Sequence, residues 1–280
     1  MSEAPSSLRR ILVAINGSPH SRAALDAAVR LAVAFEAEVE GLFVEDERLL
    51  RASRLPFVKE VRAYTAPPKR LSDDRIQRQL RRRAERVERA LRRSAEQGEV
   101  PHTFRTEQGD VTQELRRAAA GADLLVLGKT STASSRRRLG STSQTLVADA
   151  PAPVLVLRDR IPAGEPVLVY YDGSAAAETA LRLATRLARR AESPALDVLL
   201  PAHDAAETDR LREQVRAGDD DASDLPVRLH PLTQAEGHRL SAFVREKGGI
   251  VVLPSGCPPL GGGSLQRFLY EIDRPLLVVR

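Results

Sequence analysis

The sequence predicts an α/β protein built from two tandem copies of one doubly wound unit, each with a parallel five-stranded sheet. Apolar strand patterns alternate with helical patterns along the chain, which is typical of parallel sheets covered on both faces. The chain also repeats itself. Residues 11–18 (ILVAINGS) and 167–174 (VLVYYDGS) each consist of an apolar run, one polar residue and Gly-Ser. An Ala- and Leu-rich helical pattern follows each of them. A repeat of this size indicates a duplicated domain.

The two copies also end alike. Gly140-Ser141 precedes a Pro and an apolar strand, and Gly262-Gly263-Ser264 does the same at an equal interval. We therefore expect domains at residues 1–160 and 161–280, joined by a short linker at 158–166 that contains Pro and Gly. The second copy is shorter, because it lacks most of a charged excursion and a long basic helix.

Periodicity places the elements in order. Continuous apolar runs predict strands buried on both sides. In the first copy we expect strands at 10–15, 39–44, 102–106, 123–127 and 153–157, and helices at 20–36, 72–97, 111–120 and 141–149. In the second we expect strands at 167–171, 196–200, 226–230, 249–253 and 276–279, and helices at 175–190, 205–217, 237–247 and 264–271. The charged segment from Glu45 to Pro68 reads as loop with short helical pieces.

Composition excludes several classes of protein. The chain has 280 residues, 42% hydrophobic and 29% charged, which suits two globular domains. No apolar stretch is long enough to span a membrane, and the first residues lack the apolar core of a secretory signal. The single Cys257 excludes an internal disulfide, and the five His residues show no metal-ligand spacing. We expect a cytoplasmic protein without a metal.

The net charge of +5 belongs to one segment, because residues 69–98 hold 11 Lys/Arg against 5 Asp/Glu. There an apolar stripe at helical spacing predicts an amphipathic helix with arginines on its other faces. These arginines form either a solvated face or a contact surface for an anionic partner. No aromatic residue lies in this helix, so dedicated single-strand nucleic-acid binding is not indicated.

Two features predict a ligand site. In open parallel sheets, ligands bind beyond the carboxyl ends of the strands. Asn16-Gly17-Ser18 follows the first strand, and the segment from Gly128 through Arg136–Arg138 to Gly140-Ser141-Thr142 leads from the fourth strand into a helix. Free N–H groups at a helix N-terminus favour a phosphate. The structural alternative is that Gly140-Ser141 only caps the helix.

With these motifs, both halves resemble the universal stress protein domain, and the whole chain resembles a tandem universal stress protein. The resemblance implies a strand order of 3-2-1-4-5, dimer-like pairing through the last strands, and ATP or AMP binding in some members, with Mg²⁺ only if ATP is bound. In the family the first strand ends in an Asp that meets adenosine, and a loop Gly-x2-Gly-x9-Gly-(Ser/Thr) wraps the phosphates.

Each copy departs from this pattern differently. In the first, Asn16 replaces the Asp and Ser131 replaces the middle Gly, while Gly128, Gly140 and Ser141 match. In the second, Asp172 is present, but Pro254 replaces the first Gly and the loop before Gly262 is shortened. The resemblance thus implies nucleotide contacts in the first copy by Asn16, Gly17, Gly128, Ser131, Gly140, Ser141 and Thr142. A weaker second site would use Asp172, Gly262, Gly263 and Ser264.

No catalytic constellation is present. The sequence lacks a Ser/His/Asp order and the Gly-x4-Gly-Lys-(Ser/Thr) motif, so at most a weak ATPase is expected. We therefore expect a non-catalytic stress or regulatory protein whose second half serves as an internal dimerisation partner, with a further homodimer left open. The alternative is a binding module for a small non-nucleotide ligand or an acidic protein partner.

Overall fold

A computed structural model of the chain describes residues 8–53, 59–60, 69–70, 73–129, 140–161, 164–192, 194–202, 204–217, 225–232, 237–257, 268, 272 and 274–280. This part contains twelve strands and eight helices. Most strand pairs are parallel and alternate with helices, which confirms the predicted α/β class.

The strands and helices lie close to their predicted positions. The first half contains strands β1 (Arg10–Ala14), β2 (Glu38–Asp46), β3 (Lys59–Glu60), β4 (Lys69–Arg70), β5 (His102–Gly109), β6 (Leu124–Gly128) and β7 (Val154–Leu157). Its helices are α1 (Pro19–Phe35), α2 (Glu47–Ser53), α3 (Asp73–Gln97), α4 (Val111–Ala119) and α5 (Ser141–Asp149). Helix α2 occupies the start of the segment predicted to be mainly loop.

The second half repeats this succession with fewer residues. Its strands are β8 (Val167–Tyr170), β9 (Leu196–Pro201), β10 (Val227–Leu232), β11 (Ile250–Pro254) and β12 (Leu276–Val279). Its helices are α6 (Ala175–Arg189), α7 (Ala205–Ala217) and α8 (Gly237–Lys247). The helix expected at 264–271 lies almost wholly outside the described residues.

Ten of the strands form one sheet in the order β10-β9-β8-β11-β12-β7-β6-β1-β2-β5. The sequence predicts two tandem five-stranded sheets that pair through their last strands. In the structure β7 and β12 pair antiparallel, with Leu155 opposite Leu277, so the two sets of five strands form one continuous sheet. Each half supplies five adjacent strands, and its first strand is central among them. The remaining two strands, β3 and β4, form a separate short ribbon.

Helices cover both faces of this sheet. One buried cluster includes Leu25 of α1, Leu91 of α3, Leu181 of α6 and Leu211 of α7. The other includes residues of α4, α5 and α8. Successive strand residues alternate between the clusters, because side chains in a strand point to opposite faces. In the described residues no helix is long and apolar enough to cross a membrane.

The helix that follows the first strand of each half begins with the same cap. Ser18 Oγ accepts a hydrogen bond from the Ser21 N–H at 3.1 Å, and Ser174 Oγ accepts one from Ala177 N–H at 3.1 Å. Such N-caps satisfy amide groups that the helix leaves unpaired. The preceding glycines, Gly17 and Gly173, have φ of 75° and 78°, a conformation that favours glycine. Both turns are therefore built alike.

Candidate functional site

A cavity of about 350 Å³ lies where the carboxyl ends of β1, β2 and β6 meet. Helices α2, α3, α4 and α5 contribute its other walls, and most of the lining side chains are apolar. The lining residues are Ala14, Ile15, Asn16, Ser21, Leu42, Phe43, Val44, Asp46, Leu49, Leu80, Arg83, Val111, Leu115, Leu127, Gly128, Thr142 and Ser143. The position agrees with the rule for ligand sites in parallel α/β sheets.

Asn16 lies at this cavity and closes the turn after β1. Its Oδ1 accepts a hydrogen bond from the Ser18 N–H at 3.0 Å. The side-chain amide keeps its two donor hydrogens, and within the described residues neither is donated to a protein acceptor. Asn16 therefore presents hydrogen-bond donors to the cavity, where an Asp would present acceptors.

Gly128 forms part of the cavity floor and has a packing role of its own. A Cβ at this position would stand 2.5 Å from the carbonyl carbon and oxygen of His20 and 2.8 Å from Ser21 N. The first turn of α1 thus lies directly against the end of β6. His20 belongs to that turn, and its Nδ1 lies 3.1 Å from the Arg158 carbonyl oxygen.

The N-terminus of α5 forms another wall. Gly140 is its N-cap, and no side chain caps this end. Thr142 lines the cavity, with its Oγ1 3.5 Å from Thr112 Oγ1, while Ser141 is exposed. An uncapped helix N-terminus presents free N–H groups and partial positive charge. Ser131 and residues 136–138, which were expected to complete this wall, lie outside the described residues.

Two charged residues line the cavity that sequence reasoning did not select. Asp46 ends β2, and its Oδ1 accepts a hydrogen bond from the Arg48 N–H at 2.9 Å. Arg83 extends from α3, and its Nε lies 3.4 Å from where a Cβ on Gly17 would stand. Within the described residues, Arg83 makes no ion pair. A carboxylate and a guanidinium thus accompany Asn16.

Sequence signals for both residues existed. Asp46 belongs to the charged segment that begins at Glu45, and it lies at the end of the second strand, which neighbours the first in the implied strand order. Arg83 is one of the arginines of the basic helix, and it stands three residues after Leu80 and four before Val87, which are both buried. Residues at these spacings share one side of a helix.

The second half keeps the turn and has a larger side chain at the position where Ala14 lines the cavity. Asp172 Oδ1 accepts a hydrogen bond from the Ser174 N–H at 3.0 Å, as Asn16 does in the first half. Tyr170 stands where the first half has Ala14, because Ala14 pairs with Leu42 and Tyr170 pairs with the corresponding Leu199.

Tyr170 is 2% exposed and packs in one cluster with Leu199, Leu253, Cys257 and Phe268. Burial raises the pKa of its phenol above the usual value, and the nearby Cys257 and Asp172 raise it further. Pro254 ends β11 where Gly128 ends β6. Gly262, Gly263 and Ser264 lie outside the described residues.

The described residues contain no group of three or more His, Cys, Asp or Glu side chains that could hold a metal ion.

Comparisons with known proteins agree with this architecture. The model of the universal stress protein family matches residues 7–158, more than half of the chain, and not the second half. A universal stress protein from Archaeoglobus fulgidus is 18% identical, with a TM-score of 0.73 over 96% of this chain and 97% of that one. A Pseudomonas aeruginosa protein of unknown function is 14% identical, with a TM-score of 0.63 over 97% of this chain and 92% of that one. At these identities the likeness shows the fold. No curated protein matches the chain.

Proposed function

The chain belongs to the universal stress protein family, and on that premise we propose that it is a non-catalytic cytoplasmic stress-response protein whose first half binds one adenine nucleotide. The cavity at the carboxyl ends of β1, β2 and β6 is the observation that carries this proposal. Its volume of about 350 Å³ falls at the lower end of the range of small-molecule pockets, roughly 300–1,000 Å³. A nucleoside suits this size, with phosphates extending out of the mouth.

The lining divides into three regions with different chemistry. Apolar side chains such as Phe43, Val44 and Leu49 would hold the flat faces of the base. Asp46 would accept hydrogen bonds from ribose hydroxyls, and the Asn16 amide would donate to the ribose or base. Asp46 would thereby replace the carboxylate that the first strand lacks.

The phosphate end would use different groups. The first turn of α5 offers N–H groups at Gly140, Ser141 and Thr142, with two hydroxyls among them. Arg83 would add a guanidinium, which binds phosphate oxygens through two parallel hydrogen bonds. Mg²⁺ would accompany ATP through its phosphates.

We propose further that residues 161–280 are a second, degenerate copy of the domain that acts as an internal dimerisation partner. The shared strand order, the matching Asx turns and the antiparallel pairing of β7 with β12 support this. Tyr170, buried at the position of Ala14, would fill the space that the cavity occupies in the first half. One nucleotide per chain is therefore expected.

Isothermal titration calorimetry with ATP and AMP tests the proposal. We expect a stoichiometry near one per chain. Losing Arg83 in R83Q or the Asp46 charge in D46N should weaken binding about tenfold each, the cost of one charge-assisted hydrogen bond of about 1.4 kcal/mol. R182Q, which changes an exposed arginine on α6, should leave binding unchanged. No binding at millimolar nucleotide would contradict the proposal and favour a small apolar ligand.

A14Y is the sharpest single variant. It places in the first half the side chain that the second half carries at the same position, so it should fill the cavity and abolish nucleotide binding. A14S, which adds only a hydroxyl, serves as the control. Unchanged affinity in a folded A14Y protein would show that nucleotide binds elsewhere. Steady ATP turnover that is lost in G140V would contradict the non-catalytic assignment.

A further inference from the structure

Helix α3 carries two opposite stripes along its length. Its buried stripe consists of Ile76, Leu80, Val87, Leu91 and Ala95. On the opposite side a row of arginines follows the spacing 3, 4, 4, 3 and 4, which keeps the side chains in one line along a helix. We call this row the arginine ridge, and its members are Arg75, Arg78, Arg82, Arg86, Arg89 and Arg93.

The arginine ridge is long and faces solvent. At 1.5 Å per residue, Arg75 to Arg93 spans about 27 Å. All of its members after Arg75 are exposed. The ridge is separate from the cavity, because Arg83 lies beside the buried stripe and is not a ridge member.

Most of the ridge makes no ion pair in the part of the chain that the structure describes. Within the described residues, Arg78, Arg82, Arg86 and Arg93 make no ion pair. Arg89 lies 3.9 Å from Glu85, and both side chains are more than half exposed. Like charges four residues apart destabilise a helix, and this arrangement occurs at Arg78 and Arg82, at Arg82 and Arg86, and at Arg89 and Arg93. A helix stabilised by its own surface pairs would alternate the two signs here.

We propose that the arginine ridge docks an acidic α-helix of a partner protein whose carboxylates repeat at the same three- and four-residue spacing. Guanidinium groups bind carboxylates through two parallel hydrogen bonds, so a matched row of Glu side chains would engage several arginines in register. Charge complementarity thereby selects the spacing of the partner's carboxylates and aligns its helix along α3.

The charged residues beside the ridge limit how wide an acidic partner can be. One side of the ridge carries a net negative charge within the 10–12 Å diameter of the helix. Four carboxylates lie there with two arginines, Arg81 and Arg92, and Arg92 lies 3.3 Å from Glu88. The carboxylates are those of Asp74, Glu85, Glu88 and Glu96. These carboxylates would repel the phosphates of a nucleic-acid duplex that extends across both sides. A single acidic helix is narrow enough to contact the ridge alone. Helix α3 also contains no aromatic side chain on which unpaired bases could stack.

Fluorescence anisotropy with a synthetic peptide tests the docking. The probe is a labelled 21-residue helical peptide with Glu at the ridge spacing, compared with a peptide of the same composition whose Glu residues are distributed around the helix. The matched peptide should bind at least tenfold more tightly than the scrambled one, and binding should weaken as NaCl rises from 50 to 300 mM.

Matched variants identify the surface. R78Q/R82Q/R86Q should lose at least tenfold in affinity for the matched peptide, whereas R182Q/R210Q/R216Q, which removes the same charge from α6 and α7, should not. R78K/R82K/R86K keeps the charge, and its affinity for the matched peptide should lie between those of the other two variants. The reason is that lysine lacks the planar guanidinium group, which binds a carboxylate through two parallel hydrogen bonds. Circular dichroism confirms folding, and nucleotide binding should be unaffected in all three.

Three results would overturn the proposal. Equal affinity for the two peptides would show that only net charge matters. An equal loss of affinity for the matched peptide in R182Q/R210Q/R216Q would also show that only net charge matters. Binding of a 20-base-pair DNA duplex that competes with the peptide and is lost in the ridge variant would assign the ridge to nucleic acid.

Discussion

Gly128 illustrates at the scale of one residue why a motif glycine can be required without any ligand. Its φ lies outside the left-handed region, so backbone conformation does not demand glycine. The demand comes from the first turn of α1, whose backbone at His20 lies where a Cβ would stand. The family glycine thus brings α1 against β6, and this contact shapes the cavity floor.

The substitution G128A should therefore destabilise the fold by about 1–3 kcal/mol, the cost of overpacking a close backbone contact. Urea unfolding measures this free energy. G121A is the matched control, because its new Cβ would meet its nearest neighbour only at 3.8 Å, and its stability should change little. Equal stability of the two variants would contradict the packing role of Gly128.

The buried phenol of Tyr170 makes the stability of the fold depend on pH. Its folded pKa lies above the usual value of 10, so the folded state retains a proton that the unfolded chain loses above about pH 10. Its contribution to stability is complete below that pH and is lost as the pH rises further.

The free energy of unfolding of the unmodified chain should accordingly fall by up to about 1.4 kcal/mol per pH unit above pH 10 from this group. Y170F should show a shallower decline in urea unfolding between pH 9 and 11. Parallel curves for the two proteins would show that Tyr170 does not cause the loss.

At the scale of elements, β9 and β10 are joined by a buried carboxylate. Asp197 is fully buried and receives hydrogen bonds from Arg228 Nε and Nη2, each at 2.9 Å, while His230 Nε2 lies 2.6 Å from it. The first half has a more exposed ion pair between the corresponding strands, with Glu40 of β2 and Arg105 of β5 2.5 Å apart.

Removing the arginine should have unequal effects in the two halves. Among the described residues, R228A leaves the buried Asp197 carboxylate with the side chain of His230 as its partner. We therefore expect the free energy of unfolding to fall by about 2–3 kcal/mol. R105A leaves Glu40 with access to water and should cost less than about 1 kcal/mol. Thermal and urea unfolding measure the stability of both variants. Similar losses of unfolding free energy in R228A and R105A would show that the burial of the carboxylate does not set the cost.

At the scale of the whole molecule, one sheet and both buried clusters continue from the first half into the second, and the cluster beneath α1 and α6 is the larger. Leu31 and Leu155 of the first half share this cluster with Leu187 and Leu277 of the second. A shared core couples the stability of the two halves, because neither can unfold without exposing the apolar surface of the other.

Differential scanning calorimetry should therefore show a single transition. L155D places a charge in the junction, where Leu155 is 2% exposed. It should lower the midpoint temperature of that single transition, because the free energy of unfolding falls by about 4 kcal/mol or more. V33D, at a residue that is 52% exposed, should change stability by only about 0.5 kcal/mol. Two resolved transitions, with L155D shifting only one, would show that the halves unfold independently.

The sequence by itself determined the α/β class, the internal repeat, the positions of most described helices and strands, and the two turns at Asn16 and Asp172. These features follow from local periodicity and from a repeated motif, which act over a few residues. The resemblance to the family also implied that the last strands pair the halves. The tertiary structure alone decided that Asp46 and Arg83 join the cavity, and that Tyr170 is buried at the position that Ala14 holds in the first half. The reason is physical: these contacts join segments far apart in the chain, and the packing of helices on strands brings them together.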